Sequence, residues 1–176
     1  EDFGIAVGDV KFRWEKVLER KRQVVERLVG GVRKLLSSAG VRLLEGRGFV
    51  DESGRVAVRL PDGSLFPLQW KKLIIATGST HALPPVPPED LEFSIDSDRA
   101  LALERPPRKA VIIGGGVVGV EFGCIFNSFG AEIDIVKRTP LLLPPVDDEI
   151  SRRIAPVLKK RGVRVNHGFY IKRIRR

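Results

Sequence analysis

Apolar residues at Trp14, Val17, Leu18, Val24, Val25, Leu28, Val32, Leu35 and Leu36 recur at spacings of three and four, which places them on one stripe and predicts a long amphipathic helix from Trp14 to Leu36. Gly40 supplies its stop, and Val41 to Leu44 then reads as a short strand. The period changes to two at Val56, Val58 and Leu60. Pro61-Asp62-Gly63 is a turn signal between that strand and Ser64 to Leu68, so an antiparallel hairpin is expected. Lys71 to Ala76 is a continuous apolar run after two lysines, ending at Thr77-Gly78-Ser79, as expected of a strand buried on both faces. Half of the prolines (Pro84, Pro85, Pro87, Pro88, Pro106 and Pro107) fall in 81–107, where no long periodicity survives beyond a turn or two of helix from Asp96 to Leu103. Beyond this link the order is strand (Ala110 to Ile113), glycines and helix (Gly114 to Phe129), then strand (Ile133 to Val136), a βαβ unit. A further helix is expected from Asp148 to Arg161, with Asp147 as its cap, Gly162 as its stop and a kink or early end at Pro156. Val163 to Val165 reads as the next strand, and Tyr170 to Ile174 as the start of another.

The fold class that follows is α/β. Residues 1–80 form one segment, 81–107 a proline-rich connection, and 108–176 the first part of a doubly wound domain. Composition narrows the function classes. With 18 Gly and 12 Pro in 176 residues the chain is ordinary globular protein, and no apolar run is long enough to span a bilayer. Cys124 is the single cysteine, which excludes an internal disulfide or a cysteine zinc site and fits a cytoplasmic location. The net charge of +9 brings nucleic acid into view. Ten Lys or Arg lie between Lys11 and Arg42, but they fall on the outer face of the first helix with few aromatics among them, which is a solvated face rather than a phosphate-backbone site. The chain has no Met and starts at Glu1, so an interior piece of a longer protein is expected.

The chemistry lies in Gly114-Gly115-Gly116-Val117-Val118-Gly119, a G-x-G-x-x-G that follows an apolar strand and opens a helix. Gly114 serves the tight turn, Gly116 lets the backbone meet a pyrophosphate, and Gly119 lets helix and strand pack closely while the helix N-terminus faces the anion. At the end of the second strand, where a carboxylate would bind the adenosine ribose, stand Lys137 and Arg138. Two cations there attract a 2′-phosphate, which favours NADP over NAD.

Ile74-Ile75-Ala76-Thr77-Gly78-Ser79, a proline-rich link and Val111 to Gly123 together resemble the junction of the flavin and nicotinamide nucleotide domains in the flavoprotein disulfide reductases, most closely the dihydrolipoamide dehydrogenases. Trp14 to Val32 resembles the long helix that follows their redox motif. The resemblance implies FAD contacts at Gly48, Thr77, Gly78 and Ser79. It implies NAD(P) contacts at Gly114, Gly115, Gly116, Val117, Val118, Gly119, Val120 and Glu121, at Lys137 in place of the ribose-binding glutamate with Arg138 beside it, and at the backbone of Ile171. It further implies electron transfer between a dithiol and NAD(P) through FAD, a lipoyl domain of a 2-oxoacid dehydrogenase complex as a partner, and a homodimer. The chain lacks the family's first G-x-G-x-x-G, its C-x-x-x-x-C pair and its C-terminal His-Glu pair, so the catalytic residues are expected outside it. Cys124, His81 and His167 match no catalytic position. Two other readings are a flavin-dependent NAD(P)H oxidase or ferredoxin-reductase-type enzyme, and a stand-alone nucleotide-binding module.

Overall fold

The structure is a computed structural model that describes Gly4 and residues 8–175. The chain forms two compact units, one of Glu19–Ser79 and one of Thr80–Arg176 with the chain up to Leu18.

The first unit opens in α1 (Trp14–Ser38), the expected amphipathic helix, whose first residues belong to the other unit. Its end is closed by bonds from Gly40 N to Ser37 O and from Val41 N to Leu36 O, so Gly40 acts as the expected stop. An antiparallel meander follows, β1 (Arg47–Val50), β2 (Val56–Arg59) and β3 (Leu65–Leu68), in the order β1-β2-β3. The expected hairpin is the β2–β3 pair. The strand expected at Val41 to Leu44 is instead irregular, and pairing begins at Arg47↔Arg59. Gly46 explains the delay: a Cβ there would stand 2.4 Å from the Arg59 carbonyl oxygen, so the chain comes close to β2 only at this residue. Pro67 is tolerated because β3 is an edge strand.

Lys71 to Ala76 does not form a strand. The segment pairs with none of β1 to β3, and Ile74 is 88% and Ile75 73% exposed. A run buried on both faces needs a strand at each side and a layer above and below, and the described residues supply none of these around it. The stripe of α1 beyond Leu18 is also largely bare, with Val25, Leu28, Val32 and Leu35 all exposed.

In the second unit the βαβ pattern is realised as β4 (Lys109–Ile113), α3 (Val117–Ser128) and β5 (Glu132–Lys137), followed by α4 (Asp148–Lys160) and β6 (Arg164–His167). The three strands are parallel in the order β4-β5-β6, with Ile113 beside Val136 and Lys137 beside His167. Ile133 and Ile135 are fully buried on the face that packs against α3, where Gly123 admits the Ile135 side chain, and Phe126, Leu142, Leu158 and Val163 complete the core. α3 and α4 turn into their next strands by one device. Gly130 and Gly162 take left-handed conformations, and the following Ala131 and Val163 donate back to Phe126 and Leu158 while burying their side chains. Asp147 caps α4 by accepting from Glu149 N at 2.8 Å. The helix runs through Pro156 to Lys160 instead of ending early, although the ring removes one helical donor and crowds the preceding turn.

The proline-rich link is ordered with this unit. It contains a 3-10 turn at Pro88–Phe93 and the short α2 (Ser97–Leu101), capped by Asp96, as the Asp96 to Leu103 pattern predicts. Trp14 anchors the start of α1: its indole N–H donates to Leu103 O at 2.8 Å and its ring stands edge-on to Phe129 with centroids 4.9 Å apart. The strand expected from Tyr170 to Ile174 is absent. Its backbone is held by a side chain, since Ile174 N donates to the buried Asp90 carboxylate at 2.8 Å and Arg173 Nε lies 3.0 Å from the same group. That donor is no longer available to a ladder.

Replacing the fully buried Ile135 by Ala should cost about 2–5 kcal/mol, whereas Ile74→Ala should change stability by no more than about 0.5 kcal/mol; urea denaturation of the whole chain compares them. A second expectation concerns Arg164, which bonds Asp134 and Glu132 across β5 and β6 and holds both carboxyls below their ordinary range. A depressed carboxyl stabilises the fold above its unfolded value, about 4, and loses that contribution as pH falls through the folded value. Arg164→Ala should therefore lower the melting temperature near neutral pH, and the difference from wild type should shrink as pH falls below about 4.

Candidate functional site

The carboxyl end of the parallel sheet carries the site. After Ile113 the chain turns at Gly114, whose φ of +114° is open only to glycine, and Gly114 N donates to Val136 O at 2.9 Å, tying the turn to β5. Gly119, one turn into α3, faces back onto this turn. A Cβ at Gly119 would lie 2.5 Å from the Gly114 carbonyl oxygen and 3.2 Å from Ile112 Cγ2, so helix and strand approach as closely as backbone allows. Around Gly116 the opposite holds, for a Cβ there would meet nothing within 4 Å. Gly116 is the N-cap of α3, no side chain caps it, and the first helical donor to find a carbonyl is Val120 N, on Gly116 O at 3.0 Å. The amides of Val117, Val118 and Gly119 thus end the helix without an internal acceptor, beside an open space, with no acid in the first turn. Such an end binds anions. Among the other residues of the motif, Val117, Val118 and Glu121 are exposed, Gly115 is buried and Val120 enters the core.

The two cations at the end of β5 have different surroundings. Lys137 is buried, 4% exposed; its stem packs where a Gly115 Cβ would stand, and its ammonium donates to the Thr139 carbonyl. Desolvation pushes its pKa below the ordinary lysine value. With Leu143 N donating to Gly115 O at 2.7 Å, this bond fastens the 139–143 loop beneath the glycine turn. Arg138 is exposed, and its guanidinium lies 6.0 Å from the centroid of the Tyr170 ring. Ile171 is next to that tyrosine and half-buried. The structure thereby brings Gly114 to Gly119, Lys137, Arg138 and Ile171 to one end of one sheet. Tyr170 and the 139–143 loop were not legible as parts of it, because nothing in the residues Thr139 to Leu143 or Tyr170 signals a contact made across two strand ends.

The residues expected at the flavin stand in the other unit. Gly48 lies in β1 and Thr77 to Ser79 in the extended segment after β3; all are exposed and offer backbone without enclosing a ligand. Cys124 is a free thiol packed against the core by its half-buried side chain, and His81 lies 3.3 Å from Asp96, the cap of α2, away from the glycine turn in sequence and in hydrogen bonding.

The family model of the pyridine nucleotide-disulphide oxidoreductases matches residues 5–176. The chain belongs to that family. A dihydrolipoyl dehydrogenase of Acholeplasma laidlawii is 35% identical over 178 aligned residues, covering 98% of this chain and 52% of its own length. The HOCl-induced flavoprotein disulfide reductase RclA of Escherichia coli superposes with a TM-score of 0.76 at 26% identity, over 90% of this chain and 36% of the other. A ferredoxin reductase of Rhodopseudomonas palustris shares the fold, with a TM-score of 0.67 at 24% identity, over 81% of this chain and 37% of the other. The chain therefore spans about half or less of the length of the relatives it matches. Within this oxidoreductase family, the α/β fold and the glycine turn at the head of α3 agree with the sequence reading. No helix of the described residues is long and apolar enough to cross a membrane.

Gly119→Ala should destabilise the chain by about 1–3 kcal/mol, since its methyl meets backbone that cannot swing aside, whereas Gly116→Ser should stay within about 0.5 kcal/mol. Thermal denaturation of the two variants measures the contrast.

Proposed function

We propose that this chain is part of a flavin-dependent oxidoreductase that moves electrons between a dithiol and NAD(P), and that Thr80–Arg176 holds the nicotinamide nucleotide. Enzymes of the family use FAD and NAD(P), and the residues here fit the second of these groups. The observation that carries the reading is the head of α3: three uncapped amides, an open space at Gly116 and no acid in the first turn, at the carboxyl edge of a parallel sheet. There the amides of Val117, Val118 and Gly119 would bind the pyrophosphate, and Gly119 holds the helix at the angle that aims them.

We assign Glu19–Ser79 to the flavin domain, with Gly48 and Thr77 to Ser79 as its FAD contacts, and residues 81–107 to the connection. The bare stripe of α1 and the exposed Ile74 and Ile75 support this, as apolar surfaces of a domain whose remaining layers lie outside the chain. FAD, when bound, would supply the chemistry that links a two-electron dithiol couple to hydride exchange with the nicotinamide. The dithiol of the parent protein would be a dihydrolipoamide, carried on a lipoyl domain of a 2-oxoacid dehydrogenase complex. The relatives named dihydrolipoyl dehydrogenase support that substrate. We further propose a homodimeric parent located in the cytoplasm, where Cys124 stays reduced.

The test is Gly116→Val. Its side chain enters the open space where backbone would meet pyrophosphate, and as an N-cap change it should cost at most about 1 kcal/mol of stability. Wild type in nicotinamide nucleotide at about 100 times Kd should gain about 2.7 kcal/mol, read by thermal shift, and the variant should gain none. A variant stabilised as strongly as wild type would show that the glycine turn is not the phosphate site.

A further inference from the structure

The end of β5 is where a nucleotide-binding sheet reads the adenosine ribose, and it carries no hydrogen-bond acceptor of the kind that a 2′,3′-diol requires. Residues 136–146 and 164–175, which form the ends of β5 and β6 and the chain leaving them, contain no Asp or Glu. Lys137 is turned inward and its ammonium is engaged by Thr139 O. Arg138 alone of the two presents its charge to solvent, and no carboxylate pairs with it among the described residues.

The position of Arg138 is built by the backbone. Phe169 N donates to Lys137 O at 3.1 Å and Gly168 N to Arg138 O at 3.3 Å, so the chain leaving β6 is drawn back across the end of β5. Tyr170 follows directly, and its ring becomes a ledge for the guanidinium. A guanidinium held over an aromatic ring at cation–π range has part of its rotamer freedom biased before any ligand arrives, and its planar fork of donors matches two oxygens of one phosphate. It offers nothing equivalent to a diol.

We propose that Arg138, supported by Tyr170, binds the 2′-phosphate and makes this domain selective for NADPH over NADH, while Lys137 is a structural tether that does not touch the nucleotide. This rests on the nucleotide-binding reading given above. It also divides the sequence expectation in which both cations attract the phosphate.

Dissociation constants of the whole chain for NADPH and NADH, measured by titration calorimetry at fixed ionic strength, provide the test. Wild type should bind NADPH more tightly, with the advantage shrinking as salt is raised. Arg138→Ala should weaken NADPH about tenfold and leave NADH unchanged. Tyr170→Ala should weaken NADPH in the same direction by a smaller factor. Lys137→Met, which keeps the buried stem and removes the charge, should leave the ratio of the two constants as in wild type. A ratio unmoved by Arg138→Ala, or a ratio lowered by Lys137→Met, overturns the assignment while leaving the nucleotide site standing. Failure of wild type to bind either nucleotide overturns both.

Discussion

The contact on which the parallel-sheet unit depends is the close approach of α3 to the turn after β4, where Gly119 faces the Gly114 carbonyl oxygen across a gap that leaves a Cβ only 2.5 Å. It sets the angle of the helix, and so the direction of the free amides at its head. Gly114 N also donates to Val136 O, which joins the turn to β5. A larger residue at Gly119 would separate helix from strand and turn the free amides away from the strand ends. Close packing is needed here because electrostatic binding at a helix terminus falls off within a turn.

A second constraint is the burial of Lys137. Burial of an ammonium is tolerated only with a hydrogen-bond partner and a packed stem, and Thr139 O supplies the first and the space above Gly115 the second. The consequence is that two adjacent cations of the same sign have different work. One fastens a loop beneath the glycine turn, and the other stands in solvent over an aromatic ring. Alternation along a strand explains the division, because successive side chains leave β5 on opposite faces and the Lys137 face is the one that covers the core residues Ile133 and Ile135.

The bare apolar surfaces follow a similar logic of missing partners. The stripe of α1 from Val25 to Leu35 and the run at Ile74 and Ile75 have the composition of buried elements, yet they stay exposed among the described residues. In a chain that spans about half or less of the length of its relatives, composition reports the environment a segment is built for, and exposure reports the one it has.

Local signals determined much of the molecule. The period of α1, the Pro61-Asp62-Gly63 turn, the caps Asp96 and Asp147, the stops at Gly40 and Gly162 and the strand-glycine-helix-strand order all rest on residues close in sequence, so their physics is legible there. The G-x-G-x-x-G roles of Gly114 and Gly119 were legible for the same reason. What tertiary structure decided was pairing that no adjacent turn or crossover dictates. Whether Lys71 to Ala76 and Tyr170 to Ile174 become strands depends on a neighbour with free ladder groups, and no property of the segment itself supplies one. Where β1 starts depends on how closely Gly46 meets Arg59. Which of Lys137 and Arg138 is buried and which meets solvent depends on the side of the sheet that α3 covers, and the tyrosine beside Arg138 is brought from beyond the next strand by two backbone bonds, contacts between residues about thirty apart that no local pattern encodes.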